Sequence, residues 1–174
     1  MGTGVTFDLA RASLDAVHEV RTRTEIARRL AALKQFEFGG EYTRMHSYSQ
    51  PLYFVPSDTL SCAQMQALAG ADPQDPLFGG VVPYPFVATK VITHPLPFPG
   101  AAAPPGWSVE FGKQVARAVL RGFSAFDLGA ARAAGRTLLA NGAVRVKRVL
   151  ATGGRGQTVA TDFDGLCAVL DTLS

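Results

Sequence analysis

Cysteine is scarce: two in 174 residues, Cys62 and Cys167, far apart and in neither a metal-binding nor a disulfide-framework spacing. Both fall on apolar helical patterns and read as core residues, and a reducing cytoplasm is the expected compartment. The three histidines, His18, His46 and His94, share no spacing that implies a metal site. His94, next to Pro95, reads as a structural or surface residue. No apolar run approaches the roughly 18 residues of a membrane-crossing helix, so no membrane is expected as a partner. The amino-terminal residues lack the basic-then-apolar order of a secretory signal. Long blocks of one charge are missing too. The net charge is only +3, and the arginines are dispersed from Arg11 to Arg155. A nucleic-acid surface normally concentrates its cations in a stripe with interleaved aromatics, so no nucleic-acid partner is expected.

What is present is a globular composition, 47% hydrophobic and 18% charged, in a chain long enough to bury a core. Its organising stretch is 143–160. Val144, Val146 and Leu150 alternate with Arg145 and Lys147, a period-two pattern for one buried and one open face. Gly153, Gly154 and Gly156 follow around Arg155, and then Gln157 to Ala160 return as a second strand. Glycines let successive backbone N–H groups approach an anion without Cβ clashes, while Lys147 and Arg155 supply charge. The same glycines would also serve a plain tight hairpin.

Elsewhere the pattern is α/β. Residues 1–19 are weakly patterned and read as an entry segment. Residues 20–36 predict a helix with Ile26, Ala27, Leu30 and Leu33 on its apolar face, capped by Thr22 or Thr24 and followed by Gly39 and Gly40. The proline-bounded run 51–56 reads as a buried parallel strand. Ser57, Asp58 and Thr59 follow as a helix cap or a ligand-facing turn, ahead of a helix over 60–69. Val81 and Val82 are at most a short edge element, and 86–93 fit a strand or a helical turn. Residues 97–105 are the best linker. Ser108 caps a helix reaching about Leu120, and 122–126 form a short strand or turn. Asp127 caps a helix from Leu128 to about Leu139, stopped by Asn141 and Gly142. A last helix starts at Phe163 or Asp164, with Leu166, Val169, Leu170 and Leu173 inward.

The glycine loop is not a Walker A loop, because no Lys-Ser or Lys-Thr follows its last glycine. Nor is it a Rossmann fingerprint, which would run from strand through glycines into a helix. A lysine-bearing strand, a glycine loop, a strand and a helix with Asp164-Gly165-Leu166 near its start resemble the small nucleotide-binding lobe of ATP-grasp enzymes. In that resemblance Ala88-Thr89-Lys90 stands where a first phosphate-contacting lysine is carried. The runs 51–60, 77–83, 86–96 and 153–157 also resemble DUF3182, a proteobacterial family whose members are sometimes labelled biotin-carboxylase-like.

The ATP-grasp resemblance implies a pre-ATP-grasp-like βα region over 1–105 and a small α+β lobe over 106–174. It implies ATP with magnesium as the ligand, held by Lys90, Lys147, Thr152, Gly153, Gly154, Arg155, Gly156 and Gln157. An enzyme of that kind activates a carboxylate for attack by an amine, thiol or similar nucleophile, as carboxylate–amine ligases and biotin carboxylase do. Two departures count. Arg148 follows Lys147 where the pattern usually has proline, and the large lobe, which supplies the magnesium ligands, would begin where this sequence ends. The expected activity is therefore nucleotide binding without turnover by this chain alone, with a second lobe or another copy as partner. The alternative is a non-catalytic module that binds an anion or a protein.

Overall fold

The computed structural model describes residues 2–9, 16–68, 77–151 and 156–173. These form a mixed α/β fold with small sheets and five helices, in two compact units that divide between Pro83 and Tyr84. The 97–105 stretch, read as a linker, therefore lies inside the second unit.

The first unit is built on a parallel sheet. Strand β1 (Thr3–Phe7) is its centre, with β2 (Glu37–Glu41) on one side and β3 (Leu52–Pro56) on the other. This corrects the reading of 1–19 as an entry segment. A central parallel strand is buried on both faces and shows no alternation; Val5 is fully buried. Helix α1 (Ala16–Leu33) joins β1 to β2 and starts earlier than expected, so Thr22 and Thr24 lie within it. Small residues bring it close to the sheet. A Cβ on Gly4 would stand 2.8 Å from the Ala31 Cβ, and Ala27 and Ala31 are fully buried. The buried stripe is thus the alanines, flanked by Leu30. Ile26 and Leu33 are exposed, against expectation, Leu33 by 82%. On the outer side of α1 the guanidinium groups of Arg29 and Arg28 reach Glu25 and hold its carboxyl below the usual range.

Gly39 and Gly40, expected just past the helix, belong to β2; Thr3 Cγ2 fills the space where Gly39 would carry a Cβ. The second face of the sheet, Val5, Leu52 and Phe54, is covered by Phe7, Tyr42, Tyr48 and Leu77. The turn after β3 is followed by the two-residue strand β4 (Leu60–Ser61), helix α2 (Cys62–Ala67) and strand β5 (Val81–Val82), which pairs parallel with β4. The helix cap is Ser61, in a reciprocal box with Gln64, and not the 57–59 turn. Cys62 consequently sits in the first turn and is exposed rather than core.

In the second unit, 86–93 take the helical-turn alternative rather than the strand, falling in two 3-10 turns, Pro85–Ala88 and Lys90–Thr93. Ser108 caps α3 (Val109–Val115), which stops short of Leu120 and leaves Phe111 partly exposed. No strand forms over 122–126. Helix α4 (Leu128–Leu139) runs from its Asp127 cap to Asn141 and Gly142, whose φ of +128° suits glycine. Strands β6 (Val144–Lys147) and β7 (Gln157–Ala160) make an antiparallel hairpin, followed by α5 (Phe163–Asp171) with Asp162 as cap. Ala160, Leu166 and Leu170 form the core here, with Val146, Leu128, Leu139 and Phe163 packed against it. Strand β6 ends at Lys147, so Leu150 lies past the alternation and is exposed.

Candidate phosphate-binding hairpin

The two strands meet in an unbroken register. Val144 faces Ala160, Arg145 faces Val159, Val146 faces Thr158, and Lys147 faces Gln157. Strand alternation turns Val144 and Val146 to the core of α4 and α5, and leaves Arg145 and Lys147 exposed on the opposite face. One more backbone bond, from the N–H of Arg148 to the carbonyl of Gly156 at 3.0 Å, carries the ladder past the strand ends. A turn then forms, with the N–H of Ala151 donating to the Arg148 carbonyl at 3.3 Å. Gly156 has a φ of +60°, and a Cβ on it would lie 2.8 Å from the Ala151 Cβ. Backbone conformation and close approach both call for glycine there.

Lys90 comes to this stem from another part of the unit. Its Nζ donates to the carbonyl of Ala151 at 2.5 Å, across 61 positions of sequence. The turn that carries it is fixed on several sides. The Thr89 hydroxyl accepts from the N–H of Val91, the Thr93 hydroxyl donates to the Lys90 carbonyl, and the buried Ser124 hydroxyl donates to the Val91 carbonyl. His94 belongs to the same fastening. Its Nε2 lies 3.0 Å from the Leu120 carbonyl, which can only accept, so Nε2 carries the proton. A Cβ on Gly122 would meet that ring at 2.7 Å.

Of the residues the sequence nominated, Lys90, Lys147, Gly156 and Gln157 therefore gather at one hairpin stem. Thr152, Gly153, Gly154 and Arg155 lie outside the described residues. Asp164 lies in the first turn of α5, Gly165 donates its N–H to the Asp162 cap at 2.8 Å, and Leu166 is buried in the core. No group of three or more His, Cys, Asp or Glu among the described residues is placed to hold a metal ion.

The electrostatics of the unit favour an anion. From Tyr84 onward there are ten Lys and Arg against five Asp and Glu. Four of those acids are engaged: Asp127 and Asp162 as caps, Glu110 with Lys113, and Asp171 with Arg132. Among the described residues Lys90, Arg145, Lys147 and Arg148 form no ion pair. Arg145 is a feature the sequence reading passed over, although the alternation had already placed it on the open face. Its Nη1 lies 3.3 Å from Gln157 Oε1.

The DUF3182 family, described as a protein of unknown function, matches residues 7–174. The chain belongs to this family. All the hairpin residues named above fall within the matched span. No curated protein and no solved structure matches the chain.

Proposed function

We propose that the hairpin side of the second unit binds the phosphate groups of ATP, in the manner of the small lobe of an ATP-grasp protein. The observation that carries this is the Lys90–Ala151 hydrogen bond, which makes two lysines distant in sequence part of one glycine-bearing stem. The donor set fits a polyphosphate. Lys147 leaves the strand on the open face, Lys90 offers its ammonium to a neutral carbonyl that an anion can outcompete, and Gly156 keeps the backbone of the returning strand bare. Bound ATP would supply an activated phosphoryl group and bring magnesium with it; no residue of this chain is assigned to the metal. The chain's own work is to hold and orient the phosphates and to neutralise their charge, on which phosphoryl transfer depends. Binding without turnover is the activity assigned to it, related to the carboxylate–amine or thiol ligases and biotin carboxylase.

Thermal unfolding with and without Mg-ATP tests the site. At 100 times its dissociation constant, a ligand specific for the folded state adds about 2.7 kcal/mol of stability. Lys147→Ala removes most of that gain, and Lys90→Met removes part of it. An equal gain in wild type and Lys147→Ala would place any binding elsewhere. A second reading, a module that takes a protein partner on this hairpin, draws on the exposed Val149, Leu150 and Val159 around the stem. That reading gains if Mg-ATP leaves unfolding unchanged in the wild-type chain.

A further inference from the structure

We propose that Arg145 is a further anion-binding residue of this hairpin, and that with Lys147 it makes the site select linked phosphates over a single one. The inference rests on the phosphate reading given above and specifies its ligand class. Arg145 and Lys147 are two positions apart on β6 and share its uncovered face. Their Cα atoms are therefore separated by about 6.6 Å along the strand. A lone phosphate or carboxylate can be centred on one such cation. A chain of linked phosphates repeats its charge along its length and can meet both.

The structure also aims Arg145. Its direct cross-strand neighbour is Val159, yet its Nη1 turns diagonally to Gln157 Oε1, the neighbour of Lys147. The guanidinium is thus drawn toward the loop end of the hairpin, where Lys90 also arrives. A neutral amide orients the cation without cancelling its charge. Arg132 on α4 shows the opposite arrangement, its charge spent on Asp171 at 2.6 Å. Arg145 keeps four N–H donors beyond the one used on Gln157, and the Gln157 amide NH2 adds two more on the same face. A planar guanidinium can grip two oxygens of one phosphate, which the ammonium of Lys147 beside it cannot do in the same way.

The test is calorimetric titration of the full chain with inorganic triphosphate, pyrophosphate and orthophosphate at one fixed ionic strength. Wild type is expected to bind in that order of affinity. Arg145→Gln weakens triphosphate about tenfold and orthophosphate by less than threefold, one charge-assisted contact being worth about that much. Arg145→Lys falls between the two. Circular dichroism checks the fold, and if Arg145→Gln does not fold, the Arg145→Lys titration decides alone. Equal weakening for all three ligands, or none for triphosphate, overturns the inference. If wild type binds and Lys147→Ala abolishes binding while Arg145→Gln changes nothing, only the role of Arg145 falls. If wild type binds none of the three, the phosphate reading falls and Arg145 with it.

Discussion

The two units solve the problem of a small core in different ways. In the first, a helix is laid against a parallel sheet, Ala31 standing over the bare backbone of Gly4 and Ala27 packing with Tyr53 and Val55. In the second, a two-stranded hairpin has one face covered by α4 and α5 and the other left open. Their charges differ in the same sense. The first unit carries seven basic and nine acidic residues, the second ten and five. In the first unit Arg23, Arg28 and Arg29 pair with acids of that unit. In the second, the cations on the open hairpin face have no carboxylate among the described residues. The lesson is that the whole positive excess of the chain belongs to the unit with an uncovered strand. There it is a standing attraction for an anion from outside.

The contrast breaks most easily at the cores. Phe54→Ala in the first unit is expected to cost about 3–5 kcal/mol, and Leu166→Ala in the second about 2–5 kcal/mol. Urea denaturation measures both. Hydrogen exchange should show each loss concentrated in its own unit, and an equal loss of protection in both units for either variant would end the comparison. A smaller effect separates the two kinds of close approach. Gly4→Ala forces a Cβ against the Ala31 Cβ at 2.8 Å, between a helix and a central strand. A cost of about 1–3 kcal/mol follows from overpacking. Gly135→Ala meets the Leu166 Cδ2 at 2.1 Å, and because Leu166 is buried in the core that side chain has to repack. Its cost from overpacking should be of the same order, less the roughly 1 kcal/mol by which alanine is the better helix former. If Gly135→Ala proves the more damaging in thermal unfolding, the second core is the more rigid of the two.

Legibility in the sequence followed the range of the forces involved. Helix α4 was readable at both ends because its signals are local: Asp127 accepts from the N–H of Ala130, and Asn141-Gly142 stops it. The hairpin was readable because one face is buried and one open, so β6 alternates. Strand β1 was not, because burial on both faces removes the alternation that marks a strand. Helix α1 misled in a related way. Of its large apolar residues Ile26 and Leu33 point outward and Leu30 packs inward, while the closest approach to the sheet is made by Ala31 over Gly4. At the site, Lys147 and Gln157 could be placed from pattern, being ten positions apart on facing strands. Lys90 was nominated through resemblance alone. Its bond to Ala151 depends on how the Lys90–Thr93 turn is fastened by Ser124 and His94, which no local pattern encodes.

The strand registers also bear on time. Pairing β1 with β3 brings Thr3 to Leu52, 49 positions on, whereas Lys147 reaches Gln157 after ten. Closing the longer loop costs more chain entropy before any contact rewards it, and contacts distant in sequence are made slowly. The hairpin that carries the cations should therefore acquire its backbone bonds before the parallel sheet does. Pulse-labelled hydrogen exchange during refolding would show this as earlier protection over Val144–Lys147 than over Thr3–Phe7, and the reverse order would refute it. An open, positively charged hairpin is thus among the first parts of this chain that a polyanion in solution can meet.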